Sequence, residues 1–499
     1  MKPVVIAGGG TVGLATAVFL GHHGVPALVF ERRPAPSGHP RALGVSPRTL
    51  ELFREVGLGE AVAGAAVRSA VRSRADARTA AELDRTALSS ASVPLSDLSP
   101  EVPLGHYPQD HLDAVLLPAA RERGAVVEFG VGVTDVTPGG VVTLSDGRVV
   151  EAEHVIGADG VNSRVRSALG VPTTGPGVFG EPPVNVLFHA DLVGALGPMP
   201  VMARITHPDV DGILLAVGED RWALHVGGPL TDEGCAAKVR AAIGADVPFE
   251  VVGAIPWRAT VRMAERFREG RVFLVGDAAR AVSPLGAFGL NTGLADGHNL
   301  AWKLAMALRG EAGDGLLDTY HDERHAVAAM VTRQALLRWE DPRLHWDPSA
   351  VAERAAVGAW YAPLVTMGYR YDSAAVVDAV PHLPSAEDLA ASLDGAPGSH
   401  LRHHWVRPGL STLDLVASRF TLLTGPDGQG WLDAAATSGI PAEPLPEEAA
   451  HAVGVDRAGA LLVRPDRFVA WRTAGTPDAE VLGKVLATVT GTSGHLPRG

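Results

Sequence analysis

The strongest constraint on the fold lies at the start of the chain, where Val4-Val5-Ile6-Ala7 runs into Gly8-Gly9-Gly10-Thr11-Val12-Gly13. A short β-branched run, a glycine turn, and then Leu14, Ala15, Val18 and Phe19 at helical spacing predict strand, turn and helix. Ala27-Leu28-Val29-Phe30 adds a second strand, completing a βαβ unit. The glycines fall at GxGxxG spacing, and Glu31 closes the second strand about twenty residues further on. Gly8 permits the tight turn, Gly10 lets a pyrophosphate approach the backbone and the helix N-terminus, and Gly13 lets helix and strand sit close. Glu31 is placed to accept hydrogen bonds from a ribose. A second match, Gly175-Pro176-Gly177-Val178-Phe179-Gly180, follows no predicted strand and opens no helix, so the bare pattern carries nothing there.

Pro3 to Gly21 carries no charge and sits where a signal peptide or spanning helix would. The interruptions at Gly8, Gly9, Gly10 and Gly13 and the lack of a clear cleavage pattern favour the dinucleotide fold instead. A net charge of −13 without any block of basic residues argues against nucleic-acid and anionic-membrane partners. Cys235 is the single cysteine, which rules out an internal disulfide, a CxxC redox pair and a multi-cysteine metal site. A cytoplasmic location is expected on that ground. The 19 histidines form no HxH or HExxH pattern, so no metal is expected. The 58 glycines and 37 prolines exceed the usual share but stay below the roughly 25–30% of low-complexity chains. Many tight turns, rather than disorder, are implied.

Further along, Pro47–Val56 predicts a helix, 68–100 irregular strands and loops, and His111–Arg123 another helix. Val126–Val150 reads as a hairpin-like stretch with turns at Pro138-Gly139-Gly140 and Ser145-Asp146-Gly147. His154–Ile156 is a strand that ends at Gly157-Ala158-Asp159-Gly160. From Val171 to about Gly270, alternating short runs predict an inserted antiparallel sheet. Buried-strand texture returns at Arg271–Asp277, followed by a helix from Leu290 to Arg309. Residues 320–340 and Trp360–Ala379 are expected to be helical, and Pro381–Pro397 to be a linker. The tail offers strands at Phe420–Thr424, Ala460–Arg464 and Phe468–Arg472 and a closing helix at Ala479–Val489.

The N-terminal fingerprint cannot separate NAD(P) from FAD, since both contain adenosine diphosphate. Gly276-Asp277-Ala278-Ala279 follows a buried strand, and Pro284-Leu285-Gly286-Ala287-Phe288-Gly289-Leu290-Asn291 leads into a helix. An Asp in that turn can accept hydrogen bonds from ribityl hydroxyls. The helix N-terminus, with a partial charge of roughly +0.5, would stabilise negative charge on a reduced isoalloxazine ring. With Gly157-Ala158-Asp159-Gly160, Ser163, Val165 and Arg166 as a third motif, the chain resembles the group A flavoprotein monooxygenases, the family of para-hydroxybenzoate and phenol hydroxylases. Arg41, Gln109, Asn299–Leu304, Tyr320, Glu323 and Arg324 extend the resemblance over about residues 1–335. In the tail, Ser411–Leu415, Leu462–Asp466 and Ala470-Trp471-Arg472 resemble the thioredoxin-like C-terminal domain of the polyketide and phenol hydroxylase branch. Without a CxxC, that domain would be structural or an assembly surface.

The fold class so implied is α/β: a Rossmann-like FAD-binding domain with a glutathione-reductase-type βαβ unit, an inserted, mostly antiparallel substrate sheet, and a thioredoxin-like C-terminal domain. The expected boundaries are 1–171 and 271–345 for the FAD domain, with 68–110 partly joining the substrate domain at 172–270. A helical segment and linker follow at 346–398, and the C-terminal domain occupies 399–499. By the same resemblance FAD contacts Gly8, Gly10, Thr11, Val12, Gly13, Glu31, Arg32, Arg41, Gln109, Val133, Asp159, Gly276, Asp277, Pro284, Gly286, Gly289, Leu290 and Asn291. Arg41, Asp159 and Arg166 are linked to NADPH.

The implied chemistry is reduction of the flavin by NADPH (or NADH), addition of O2 to give a flavin C4a-hydroperoxide, and attack of its distal oxygen on a bulky aromatic or polyketide-like substrate. An FAD-retaining cyclase without net redox change is the alternative. The expected assembly is a monomer or homodimer. Two positions depart from the family: Arg280 stands where His is frequent, and Ala287-Phe288-Gly289 where a Gly-Gln-Gly type sequence is found. Arg280 is either a salt-bridged surface residue or a cation that alters the flavin's surroundings. Candidate substrate-side residues are Arg204, Trp222 and His225, while Met199 and Met202 are expected to serve packing.

Overall fold

The apolar run that opens the chain is hidden from water, with Val4 to Ala7 at most 2% exposed. A computed structural model describes residues 2–40, 42–88, 96–180, 183–228, 230–347 and 349–492. In chain order its principal elements begin with β1 (Val4–Ala7), α1 (Thr11–His22), β2 (Ala27–Glu31), α2 (Pro47–Glu55), β3 (Val71–Ala77), α3 (Gln109–Glu122), β4 (Val126–Phe129), β5 (His154–Gly157) and α4 (Arg164–Ala168). There follow β6 (Val184–His189), β7 (Pro200–His207), β8 (Val210–Ala216), β9 (Arg221–Val226), α5 (Asp232–Ile243), β10 (Glu250–Pro256), β11 (Arg268–Glu269), β12 (Val272–Leu274), α6 (Phe288–Arg309) and α7 (Asp314–Glu340). The C-terminal part holds β13 (Thr421–Thr424), α8 (Gln429–Ser438), β14 (Ala442–Pro444), α9 (Glu447–Ala452), β15 (Ala460–Val463), β16 (Val469–Thr473) and α10 (Ala479–Val489).

The first sheet has the order β11-β12-β5-β1-β2-β4. Every pair is parallel except β11 with β12, and Ile6 is the partner of both Val29 and Ile156. Strands covered on both faces read as continuous apolar runs, which is why β1 and β2 lack alternation. α1 packs against α6 closely enough that a Cβ on Gly297 would stand 2.3 Å from the Thr16 hydroxyl. The hairpin-like reading of Val126–Val150, with its turns at Pro138-Gly139-Gly140 and Ser145-Asp146-Gly147, holds from Val133 onward, and the sheet corrects only its first strand. β4 pairs in parallel with β2, and the antiparallel partners are three short strands at Val133–Val136, Val141–Leu144 and Val149–Glu151.

The second sheet has the order β10-β6-β9-β8-β7-β3, antiparallel throughout except for β3 beside β7. One face packs against α5 through Phe188, Trp222, Leu224, Val239 and Ile243. That helix was not foreseen, although its signals are present. Thr231 caps its N-terminus by accepting from the Gly234 N–H, Asp232 and Glu233 fill its first turn, and Gly244 ends it at φ +71°. The other face carries Leu187, Leu215, Val217 and Ala223, against which Met202 and Leu43 pack. It therefore looks toward the loop that links β2 to α2.

Trp360–Ala379 is not the expected helix. Among the described residues it holds one π-type turn at Leu364–Gly368, and its backbone bonds go elsewhere: Tyr361 N–H to Ala386, Tyr371 N–H to Gly398 and Val377 N–H to Ala470. Tertiary pairing has overridden the local pattern.

The C-terminal sheet runs β14-β13-β15-β16. It docks on α6 and α7 through charges rather than through a purely apolar seam. The Arg464 guanidinium donates to both Glu323 oxygens (2.5 and 2.9 Å) and to Asp466 (3.0 and 2.7 Å), and Lys303 donates to Glu323 at 2.7 Å. Asn299 bridges Glu323 and Asp466. All of these side chains are out of contact with water. The Asn299–Leu304, Glu323 and Leu462–Asp466 motifs are thus the two halves of one joint.

Candidate active site

Two glycine turns face each other at the carboxyl end of the parallel sheet, where open α/β sheets place their ligands. In the first, Gly8 has φ +107°, and a Cβ there would lie 2.4 Å from the Ala158 carbonyl oxygen. A Cβ on Gly13 would lie 2.0 Å from the Gly8 oxygen. Both glycines are demanded by the protein's own packing. Gly10 is not, because its nearest neighbour would be an Arg33 guanidinium nitrogen at 3.9 Å. α1 begins immediately after it, at Thr11, and no side chain among the described residues caps its N-terminus. Glycine at this position is explained by a ligand that approaches the backbone, which is the cradle a pyrophosphate requires.

Around this turn Glu31 accepts the Gly9 N–H (2.8 Å), the Arg33 N–H (2.9 Å) and the Arg33 side chain (3.1 Å). Burial pushes its carboxyl upward, but these donors prevail and hold it below the usual range, so it is anionic. Gln109 accepts from the Ala42 N–H (3.1 Å) and donates to Thr11 (3.4 Å), which itself donates to Asp113 (2.5 Å). Gly10, Thr11, Arg33, Ser37, His39, Gln109 and Asp113 line one small cavity. Val12 lies under the second turn, Arg32 is exposed, and Val133 is buried at the start of its strand. Arg41 lies outside the described residues.

The second turn follows β12. Gly276 sits at φ +58° against Val12, and Asp277 is exposed beside it. The turn is held from below by Asp296 of α6, which accepts the Gly276 N–H at 3.1 Å. Asp296 also pairs with Arg280 (3.4 Å) and Arg324 (2.8 Å). Sequence reading missed Asp296, since nothing local distinguishes an Asp within a helix that also carries polar residues. From the side, Arg166 donates to the carbonyls of Ala278 (2.8 Å) and Val161 (2.9 Å), which ties the Asp159 segment to the Asp277 turn. Asp159 caps α4 by accepting the N–H groups of Arg164 and Val165 with one oxygen. Its other oxygen is buried without a partner among the described residues.

α6 starts at Phe288 behind Ala287, which is left-handed at φ +55°, and no side chain among the described residues caps it. Pro284 is exposed at the head of the loop, Gly286 turns at φ +97° beneath the Phe288 ring, Gly289 is half-buried and Leu290 buried. Asn291 spends its amide on position. It accepts from the Ser46 N–H (2.8 Å) and the Thr49 hydroxyl (2.6 Å) and donates to the Gly44 and Ala287 carbonyls. The β2–α2 loop is thereby pinned to the start of α6. The family departures now have locations. Phe288 is 1% exposed and packs against Val327, Val331 and Arg338. Arg280 is salt-bridged but has 0% side-chain exposure, so its expected surface position is corrected.

On the second sheet, alternation decides which substrate-side candidates can face this region. Trp222 points away, is fully buried against α5 and donates its indole N–H to Ala190 at 3.0 Å, which removes it from the candidates. His225 and Arg204 share the opposite face and one cross-strand row, Asn185–His225–Ile213–Arg204. Arg204 stands at the exposed outer end, 4.0 Å from Asp211. His225 is half-buried beside Trp257, with ring centres 6.3 Å apart, and burial lowers it to about 4, so it is neutral near pH 7. His106 donates from Nδ1 to the Ala216 carbonyl (3.0 Å) and is likewise lowered to about 4 by burial. Met199 is core, as expected, whereas Met202 packs on the site-facing side.

A parallel sheet with two glycine turns at its carboxyl end, an anionic Glu31, and two helix N-termini uncapped by any described side chain has the form of a dinucleotide-binding fold. The residues fit FAD in that the space beside Gly10, the orphaned Asp159 oxygen and the exposed Asp277 all lie along these turns. Comparison with known proteins makes the assignment specific. Residues 1–335 match the FAD binding domain family, and residues 394–493 match the aromatic-ring hydroxylase C-terminal family. Tetracenomycin B2 monooxygenase-dioxygenase of Streptomyces olivaceus is 38% identical over 98% of both chains. Aklavinone 12-hydroxylase RdmE of Streptomyces purpurascens is 36% identical over 97% of this chain and 98% of its own. The crystal structure of aklavinone-11 hydroxylase with FAD and aklavinone superposes with a TM-score of 0.85 at 34% identity, covering 98% of this chain and 99% of that one. The chain belongs to the FAD-dependent aromatic hydroxylase family of flavin monooxygenases.

Proposed function

We propose that this enzyme hydroxylates a bulky, planar aromatic or polyketide-like substrate, with FAD as bound cofactor, NADPH (or NADH) as reductant and O2 as oxidant. The observation that carries the substrate class is the apolar face formed by Leu187, Leu215, Ala223 and Met202, which meets Leu43 of the loop that Asn291 pins to the start of α6. A flat apolar ring system would lie against such a face, toward a cofactor held at the two turns. The relatives named above support the same class.

Bound FAD supplies transfer of electrons from a nicotinamide and activation of O2. The chain's own residues bind, orient and exclude water. Glu31 holds a ribose, Gly10 and the N-terminus of α1 receive the pyrophosphate, and Asp277 accepts from the ribityl hydroxyls. The N-terminus of α6 would stabilise negative charge on a bound flavin ring. The apolar face positions the substrate and keeps water out, with His225 and Asn185 as polar groups at its end. Asp159, Arg166 and Arg41 belong to the segment proposed to serve NADPH, Arg166 by bracing the Asp277 turn. The division into FAD domain, substrate sheet and C-terminal domain is proposed with the boundaries given above, as are cytoplasmic residence and a monomeric or homodimeric state.

The test is anaerobic addition of NADPH to the purified yellow protein with a planar hydroxyanthraquinone present. Bleaching of the flavin, reversed by O2, is expected. Retained colour with every such ligand contradicts the hydroxylase reading and favours the FAD-retaining cyclase.

A further inference from the structure

Beneath the turn that carries Asp277 lies a charge cluster closed to water. Asp296 meets the Gly276 N–H and Arg280 with one oxygen and Arg324 with the other. The side chains of Arg280 and Arg324 are 0% exposed and that of Asp296 is 1% exposed. One carboxylate therefore faces two guanidiniums, and arginine stays charged even when buried.

The two arginines are used differently. Arg324 is saturated, donating to Asp296, the Tyr371 and Tyr369 hydroxyls and the Thr292 carbonyl. Arg280 makes two long contacts, to Asp296 and to the Gly289 carbonyl, both at 3.4 Å, and its Nε has no partner among the described residues. It is stationed between the Gly276–Ala279 turn and the first turn of α6, the two backbone pieces assigned to the ribityl chain and the charge-gaining ring edge. A second carboxylate in its field is Asp277, on the open side of the turn.

Hydride transfer from a reduced nicotinamide delivers two electrons and one proton to the flavin, leaves the nicotinamide oxidised, and makes the flavin one negative charge richer. A fixed cation in a water-free setting favours that product over the neutral oxidised ring. We propose that Arg280 is a charge-tuning residue, whose buried guanidinium stabilises negative charge on the flavin and raises its reduction potential. The proposal rests on FAD binding and is independent of which substrate is hydroxylated.

The holoenzyme and the variants R280K, R280Q and R280M test it by two readouts. One is the flavin midpoint potential against reference dyes. The other is affinity for sulfite, whose addition to the ring leaves a negative charge as reduction does. Loss of the cation is expected to weaken sulfite binding about tenfold and to shift the two-electron equilibrium toward oxidised flavin by the same factor, about 30 mV. R280K is expected to stay within about twofold of the parent, because the charge is kept. Asp296 retains Arg324 and the Gly276 N–H in every variant, and if R280M sheds its flavin, R280Q decides. Unchanged sulfite affinity and potential in flavin-loaded R280Q overturn the proposal. So does an R280K that falls as far as the neutral variants, since Arg280 would then be a geometric brace. If these shifts appear while NADPH fails to bleach the flavin, the hydroxylase reading falls and this one stands.

Discussion

Two buried polar clusters hold α6, and they are built on opposite principles. Around Glu323, two carboxylates meet Arg464, Lys303, Asn299 and Ser373, and both amino nitrogens of the Arg464 guanidinium are engaged. Around Asp296, one carboxylate serves two arginines and a backbone N–H, and Arg280 is left with long contacts next to an open turn. The first cluster pairs every charged group and leaves only the Asn299 amide oxygen without a partner among the described residues, and it joins the C-terminal part to the rest. In the second, the Arg280 Nε has no partner among the described residues, and it lies beside the turn proposed above to meet the cofactor. The contrast lies between the two arginines: Arg464 has all its nitrogens engaged with carboxylates at the joint, whereas Arg280 keeps an unpartnered Nε among the described residues beside the glycine turn.

Substitutions should pull the two clusters apart. The largest effect is expected for Asp296→Ala, which strands Arg280 and Arg324 and releases the Gly276 turn. Urea unfolding should show a loss of about 3–5 kcal/mol, and FAD should be lost as well. Arg464→Met should cost about 3 kcal/mol, because Glu323 keeps Lys303, and the flavin spectrum should be preserved. If both variants lose flavin equally, the distinction drawn here fails. Asp277→Ala removes an exposed acceptor at the turn. It should weaken FAD binding about tenfold to a hundredfold, from a lost charged hydrogen bond of about 2 kcal/mol.

Acid should act on the sheet before it reaches the joint. His106 and His225 are lowered from 6.5 to about 4 by burial, so between those values the unfolded chain binds protons that the folded one does not. Stability therefore falls as pH drops through that window, by about 1–2 kcal/mol after allowance for partial exposure. Glu323, held far below the usual carboxylate range by Arg464 and Lys303 against its burial, stays ionised throughout. The comparison of urea midpoints at pH 7 and pH 5 for the parent and a His106→Gln, His225→Gln double variant checks this. The smallest effect is that of His225→Phe alone, expected to raise the KM for a hydroxylated substrate with little change in kcat.

Much of the nucleotide end was legible in the sequence because its signals are local. GxGxxG between a strand and a helix reports a backbone conformation, and the positive φ of Gly8 and the crowding at Gly13 are its direct expression. The supports were not legible. Asp296 and Arg324 are brought together by the packing of α6 on α7, and Arg280 reaches them from the segment after the second turn, so no spacing rule pairs them. Strand β4 has the same texture whether it folds back as a hairpin or joins a parallel sheet, so its partner, β2, could not be read from its residues. Trp222 and His225 lie on one strand three residues apart. Period two sends them to opposite faces, but which face is the site depends on where α5 packs.

The most direct test of the account as a whole is anaerobic titration of the flavin-loaded protein with NADPH in the presence of a planar hydroxyanthraquinone, followed spectroscopically. The account predicts stoichiometric loss of the oxidised flavin's visible absorbance and its return on admitting O2. A flavin that stays oxidised under those conditions, in protein that binds the same ligand, would contradict it.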